Sequence, residues 1–480
     1  MQALPAGIFF TFTASIFNAA LMKHLLIILL LLAAATAAPA QMYFKEGRQI
    51  CCGDSLLAGY AQALDINPAQ LGRVKAKKRS LGLLQIGSNV YSNRLDLGDA
   101  LRFAFSDDSL STALKSQLLA PGETEPFTFA TNFDFNWASF SYATPQLGGI
   151  ALRVRDRISS HSAVPNDLLA LLLEGRMSDT YQNSTTQELV AASNGTRVSY
   201  SHIREASLGY GRALFRSKAL SLYAGGTLKR LWGIGYYNTT IEGASIIGNS
   251  AFSEVYNINY GDLQPEGRNL DEFQRKILDT SGSGWGLDLG LTLEIANTVV
   301  LGAAVLDMGA LDWNRGVVRA QASTASFIEQ LDDPTIRTLN FKEQLARIYD
   351  EFSFEEGADF SAPLNTQMRL NASWLVGDRF SLSGDALIPL NNNNLEVMNY
   401  QAGTYAAGFN YVLSPGPVTT NLSSAFFYSS QYEVRVPLGL SLGFRGGAMF
   451  SIAVNDLLTF VSSSKDPFPG ISITGLNLLF

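Results

Sequence analysis

Few side chains in this 480-residue chain stand where bond-making chemistry would need them. It has three histidines, His24, His161 and His202, and none has a partner at the spacing of a metal site or a Ser–His–Asp triad. There is no phosphate-cradling glycine loop and no dinucleotide fingerprint. The chain therefore reads as a non-enzyme, with no catalytic residue, metal or cofactor expected. A Ser–His pair assembled from separate strands would have to use His202, the one histidine near a strand, since His161 reads as a loop residue. The acidic pairs Asp107–Asp108, Asp332–Asp333 and Glu355–Glu356 fall in polar stretches read as loops, where solvated charge is a plainer reading than calcium ligation. Cys51 and Cys52 are adjacent and cannot join distant parts of the chain; a vicinal disulfide, two inert thiols and an intermolecular bond all remain open.

The charges worth attention alternate with apolar residues. Arg153, Arg155 and Arg157 are interleaved with Leu152, Val154 and Asp156. Asp288 and Glu294 lie opposite the face of Trp285, and Arg435 and Arg445 lie opposite that of Val434. An arginine facing lipid at mid-membrane costs about 2–4 kcal/mol, so if these strands cross a bilayer the charges are expected to face inward. There they would pair with one another and tie down an internal segment, or line a ligand route.

The elements that must position these residues are strands of period two. In Trp285–Ile295, Trp, Leu and Ile occupy one face, while Gly286, Asp288, Gly290, Thr292 and Glu294 occupy the other. Val434–Phe444 alternates in the same way, with Pro437 marking an irregularity because it removes a ladder donor. Further stretches run at Leu81–Asn93, Phe127–Ala143, Gly149–Ile158, Arg197–Arg212, Leu220–Gly233, Gln367–Val376, Phe380–Pro389 and Ala402–Leu413, with two weaker ones near Asn421–Ser430 and Glu254–Tyr260. Tight turns such as Asn297 and Val376–Arg379 alternate with long connections at Asn238–Gly282 and Asn314–Ala362, in which Asp271–Leu278 and Phe341–Phe352 show helical spacing. Asn166–Glu174 reads as a short apolar helix over a barrel mouth, or as a mobile lid there. Trp137, Trp232, Tyr236, Tyr237, Trp285 and Trp374 sit near strand ends, as interfacial girdles would. The expected fold is all-β, a transmembrane antiparallel β-barrel of about 14 strands.

Both ends of the chain agree with export. Lys23, the Leu25–Leu32 run and Ala38-Pro39-Ala40 form a secretory signal peptide over residues 1–40, with Met22 the expected true start. No later run of about eighteen apolar residues occurs, so any membrane span is made of strands. The last residues alternate and end on Phe480, the pattern that closes many Gram-negative outer-membrane barrels. A formal charge of −7 disfavours a nucleic-acid partner.

Asn67-Pro68-Ala69 lies after this leader and before the strands. Placed so, it resembles the N-terminal motif of the long-chain fatty-acid transporter (FadL-like) superfamily of outer-membrane proteins. Val305–Trp313, Tyr142–Pro145 before Gly148–Asp156, and Val454–Leu458 look like an uncharacterised subfamily, which also resembles PorV-like barrels associated with type IX secretion. The resemblance implies an N-terminal hatch, residues 41–79, inside a barrel of residues 80–480. It also implies passive passage of hydrophobic small molecules across the outer membrane, with membrane lipid and a hydrophobic ligand as partners. The alternative it leaves is a scaffold that transports nothing and docks secretion-complex proteins.

Overall fold

The computed structural model describes residues 43–44, 48–49, 60–96, 99, 112–119, 125–174, 181–256, 278–330, 353–377, 379–391, 404–415, 418–429, 433–444, 447–454, 456–461 and 470–479. From Lys78 onward they are dominated by strands: β1 Lys78–Ser92, β2 Phe127–Thr144, β3 Gly148–Val164, β4 Arg197–Arg216, β5 Leu220–Glu242, β6 Ser245–Phe252, β7 Gly282–Ile295, β8 Val299–Trp313, β9 Val317–Ser323 and β10 Ser353–Glu356. There follow β11 Phe360–Pro363, β12 Gln367–Val376, β13 Phe380–Pro389, β14 Thr404–Pro415, β15 Val418–Ser429, β16 Glu433–Arg435, β17 Leu438–Phe444, β18 Ala448–Val454 and β19 Gly470–Leu479.

Antiparallel pairing runs β1-β2-β3-β4-β5-β7-β8-β12-β13-β14-β15-β17-β18-β19. Leu479 of β19 then pairs with Ser80 of β1, which closes the barrel. Closure removes the free edge whose amides would otherwise lie unpaired in hydrocarbon. β6, β9 and β10 extend the sheet beyond the staves, β6 pairing with the distal part of β5 and with β9, and β9 with β10. Where the sequence predicts one strand over Val434–Phe444, the structure has β16 and β17 on either side of Val436–Pro437, because Pro437 supplies no amide to the ladder.

Alternation sets which face is which. On β7, Trp285, Leu289 and Leu291 are each about half exposed, whereas Asp288 between them has no exposure. The outward residues make an apolar belt and the inward ones are small or polar, the arrangement that suits a lipid exterior and an enclosed lumen. Among the described residues no helix is long and apolar enough to cross a membrane.

One end of the barrel carries tight turns. Between β7 and β8, Ala296 and Asn297 both take positive φ, 48° and 57°, and Thr298 N–H donates to the Ile295 carbonyl at 3.0 Å, a type I′ hairpin. The other end carries the long connections. There Asn166–Glu174 buries Leu168 and Leu171 against Leu189, Ile246 and Ile328, and buries Leu169 and Leu173 against Val90, Phe127 and Phe129.

Several sequence expectations change. His161 lies within β3, which runs six residues past Ile158, and Glu355–Glu356 lie in β10 rather than in a loop. Glu254–Tyr256 is a single 3-10 turn and not the start of a strand. Tyr236 and Tyr237 are buried, Tyr236 against Trp313 and Phe360, so they join no exposed girdle; Trp137, Trp285 and Trp374 are exposed. The signal segment, Cys51 and Cys52, Asp107–Asp108, Asp332–Asp333, residues 271–277 and 341–352, Arg445 and Phe480 lie outside the described residues.

Candidate functional site

Residues 61–74 are buried and lie against the inner face of the wall. They form two short 3-10 turns, Ala61–Asp65 and Pro68–Gly72. Asn67 joins them in an extended conformation, and its side-chain oxygen accepts from Ala69 N–H at 2.9 Å, with Pro68 pre-set at the first position of the turn. The Asn67 amide nitrogen also donates to the carbonyls of Leu291 on β7 and Ala303 on β8, at 2.8 and 3.3 Å. Asn67 thus ties the junction of the two turns to β7 and β8.

The wall is shaped to receive it. A Cβ at Gly225 would stand 2.4 Å from the Pro68 carbonyl oxygen, and at Gly211 2.5 Å from the same atom. At Gly149 it would meet the Leu71 carbonyl oxygen at 2.2 Å, at Gly209 the Leu64 side chain at 2.2 Å, and at Gly290 the Asn67 side-chain oxygen at 2.0 Å. Each of β3, β4, β5 and β7 therefore places glycine where any larger residue would push the segment away.

Charge fixes the same segment. The Asp65 carboxylate accepts from Arg153 Nη1 and, at 3.1 Å, from Arg155 Nη1. Both arginines continue to Glu205, Arg155 Nη2 reaching it at 2.9 Å and Arg153 Nη2 at 3.4 Å. Arg157 bridges Glu205 and Asp307, each at 3.5 Å. Lys229 lies between Asp307 and Asp288, 2.7 Å from the latter, and the Asp307 amide donates to Asp288 at 2.6 Å. Asp134 stands 3.7 Å from Arg155. On the other side Arg369, paired with Asp385, donates to the Asp65 backbone carbonyl at 3.3 Å. Nearer the short-turn end, Arg73 reaches Glu294 at 3.5 Å and Arg216 donates to the Gly72 carbonyl at 3.0 Å.

Arg153, Arg155, Asp288 and Glu294 therefore belong to buried clusters that meet the N-terminal segment or adjoin it. Arg435 is separate, 3.5 Å from Asp456, which caps the turn at Leu458–Val461. Sequence reasoning missed Asp65, Glu205, Lys229, Asp307 and Arg369. Four of them had a signal: Asp65 is the one charge in residues 60–72, and Glu205, Lys229 and Arg369 share a strand face with glycine, serine or asparagine. Asp307 had none, because it takes φ 56° at a bulge in β8 that breaks the alternation.

Among the described residues His202 meets no serine nucleophile. Its Nδ1 lies 2.6 Å from the Tyr256 hydroxyl and its Nε2 3.8 Å from Asp156, which holds Arg204 with two contacts at 2.7 and 2.9 Å. This group lies on the outer face, the side that alternation gives Asp156 together with Leu152 and Val154, although a charge facing lipid is costly. The exception is explained by its covering: Tyr256, from the 3-10 turn, and Tyr200 close over it, their hydroxyls 2.6 Å apart. Burial, and then the neighbouring Tyr200, push the Tyr256 hydroxyl well above its ordinary range, so it stays a neutral hydrogen-bonding group. Among the described residues no cluster of His, Cys, Asp and Glu is arranged to hold a metal ion.

A closed antiparallel ring with an apolar exterior, a polar interior and short turns at one end defines a β-barrel of the Gram-negative outer-membrane type. The chain belongs to the family described as Family of unknown function (DUF5723), which it matches over residues 76–457. Comparison with curated proteins gave no match. Similar solved structures include the toluene transporter TbuX of Ralstonia pickettii, 12% identical, with 87% of this chain and 93% of that chain covered at a TM-score of 0.40. A FadL homologue of Pseudomonas aeruginosa is also 12% identical, over 92% and 98% at 0.40. The translocator domain of the autotransporter NalP from Neisseria meningitidis is 7% identical, over 78% and 90% at 0.31. At these scores the cargo of those proteins says nothing about this chain.

Proposed function

We propose that this protein is a passive outer-membrane transporter for small hydrophobic molecules, with the N-terminal segment acting as a latched hatch. The observation that carries the reading is the tie from Asp65 to Arg153 and Arg155: a segment that enters the lumen is held there by charges on a neighbouring wall. Capture would occur at the long-loop end, where the Asn166–Glu174 helix gathers leucines into two apolar clusters. Passage then requires the hatch to shift, and breaking one partner of a buried ion pair costs about 3–5 kcal/mol.

The scaffold reading has its own support. The glycine cradle seats the hatch so closely that a permanently sealed barrel, presenting its loops to other proteins, is a coherent alternative. Uptake of a fluorescent long-chain fatty acid into proteoliposomes separates the two. The transporter reading expects uptake by the intact barrel, and a several-fold rise in ion leak for Asp65→Ala. An intact barrel that admits no probe, with secretion or surface proteins co-purifying, would favour the scaffold.

A further inference from the structure

We infer that the outer wall of the barrel carries a binding site for the phosphate headgroup of a membrane lipid, built on Arg230 and Arg204 beside Trp137, Trp232 and Trp285. Both arginines belong to the outward set of their strands, next to Leu208 and Leu228, which are about half exposed. Arg230 lies 4.9 Å over the ring of Trp285 and 5.9 Å over that of Trp232, and Arg204 lies 5.9 Å over Trp137. The residues are neighbours across the ladder: Arg204 pairs with Trp232, Arg230 with Trp285, and Asp156 with Arg204.

Their height on the barrel fits a headgroup. Arg230 stands ten residues along β5 from Leu220, at the short-turn end. At about 3.3 Å per residue and a tilt of about 45°, that is about 23 Å, close to the roughly 25 Å of an outer-membrane apolar band. Trp285 is the same distance along β7 from Ile295. The belt thus marks the far boundary of the apolar band, on the long-loop side. There an outward arginine costs only about 0–1 kcal/mol, and tryptophan is at home.

Charge then selects the occupant. Arg204 is neutralised by Asp156. Arg230 donates to the Gly284 carbonyl at 3.2 Å, and among the described residues no carboxylate lies within ion-pair range of it. Among the described residues this guanidinium is left uncompensated, at the depth where lipid phosphates lie, with flat aromatic surfaces beside it for the upper acyl chain. A guanidinium fork matches phosphate oxygens in geometry as well as charge.

The test uses the full chain in detergent, with mixed micelles of dioleoyl phosphatidic acid or dioleoylglycerol, which share acyl chains and differ in the phosphate. Retained lipid is read by native mass spectrometry, and folding by the heat-modifiable gel mobility of closed barrels. The native protein is expected to retain at least tenfold more phosphatidic acid than dioleoylglycerol. Arg230→Gln should bring retention near the dioleoylglycerol level and Arg230→Lys should restore part of it, while Arg204→Gln should cost less. Trp285→Leu keeps the outer surface apolar and should still lose three- to tenfold, so a misfolded Arg230 variant leaves the idea open to refutation. Equal retention of the two lipids, full retention by folded Arg230→Gln, or displacement by millimolar inorganic phosphate would each overturn the proposal.

Discussion

Two inner walls of this barrel follow the same alternation and carry different residues. The wall of β3, β4, β5 and β7 presents glycine and ionised side chains: Gly211, Gly225 and Gly290 beside Arg153, Arg155, Glu205 and Asp288. The wall of β14, β15, β17 and β18 presents Asn410, Asn421, Ser423, Ser441 and Ser451. The difference follows the N-terminal segment, which packs on the first wall and whose described polar ties run to β3, β4, β7, β8 and β12. Glycine lets backbone approach backbone, and charge on both sides then fixes position. The second wall also has a glycine, Gly443, but its Cβ position meets nothing closer than 3.8 Å, so close approach and buried charge are what set the first wall apart. Wall composition thus reports where the internal segment is seated.

The sharpest way to break this comparison is to add a side chain to one glycine on each wall. With Cys51 and Cys52 replaced by Ser, a reporter at Ala63→Cys, a position with no exposure, measures by maleimide labelling how often the segment lifts. Gly225→Val puts carbon where Pro68 carbonyl already stands, and overpacking of this kind costs about 1–3 kcal/mol or more. Labelling should accelerate at least tenfold. Gly443→Ala on the other wall meets nothing closer than 3.8 Å and should change the rate less than twofold. Similar rates for the two variants would sink the idea that the walls are specialised.

A smaller effect is expected from Asn67→Ala, which removes the turn cap and the two bonds to β7 and β8. A cost of about 1–2 kcal/mol places its labelling rate between those two variants. A rate equal to that of the unmodified segment would mean the glycines and ion pairs hold it without the Asn67 motif.

The smallest effect lies away from both walls, in the long-loop helix Thr186–Ser193. Glu188 closes a capping box with Thr185, and the Thr185 amide and hydroxyl hold its carboxyl below the usual range. A depressed folded value means the cap contributes above the unfolded value and is lost as pH falls through the folded one. Amide exchange, corrected for intrinsic rate, should show residues 186–189 losing protection as pH falls below the ordinary glutamate value of 4.5.

Much of this was legible in the sequence, for a local reason. Side-chain direction in a strand has period two, so the pattern of Trp285–Ile295 already separates lipid from lumen and puts Asp288 and Glu294 on the inner face. The type I′ turn at Ala296–Asn297 was likewise written locally. Which inner charges meet was not legible. Asp65 and Arg153 are 88 residues apart, and their pairing depends on the ring closing at the width that one segment fills. The strand rule failed where tertiary structure intervened, at Asp307, where a bulge resets the count; at Asp156 it gave the outward face correctly but not the cover of Tyr200 and Tyr256 that lets a carboxylate stand there. Sequence alone determined the strands of the ring, their two faces and the exported, lipid-facing character, because these depend on neighbours along the chain; β6, β9 and β10 lie in stretches it read as connections. Only the tertiary structure decided the glycine cradle, the ion-pair partners and the seat of the internal segment, because those depend on distances between residues that the chain brings together only when the barrel closes.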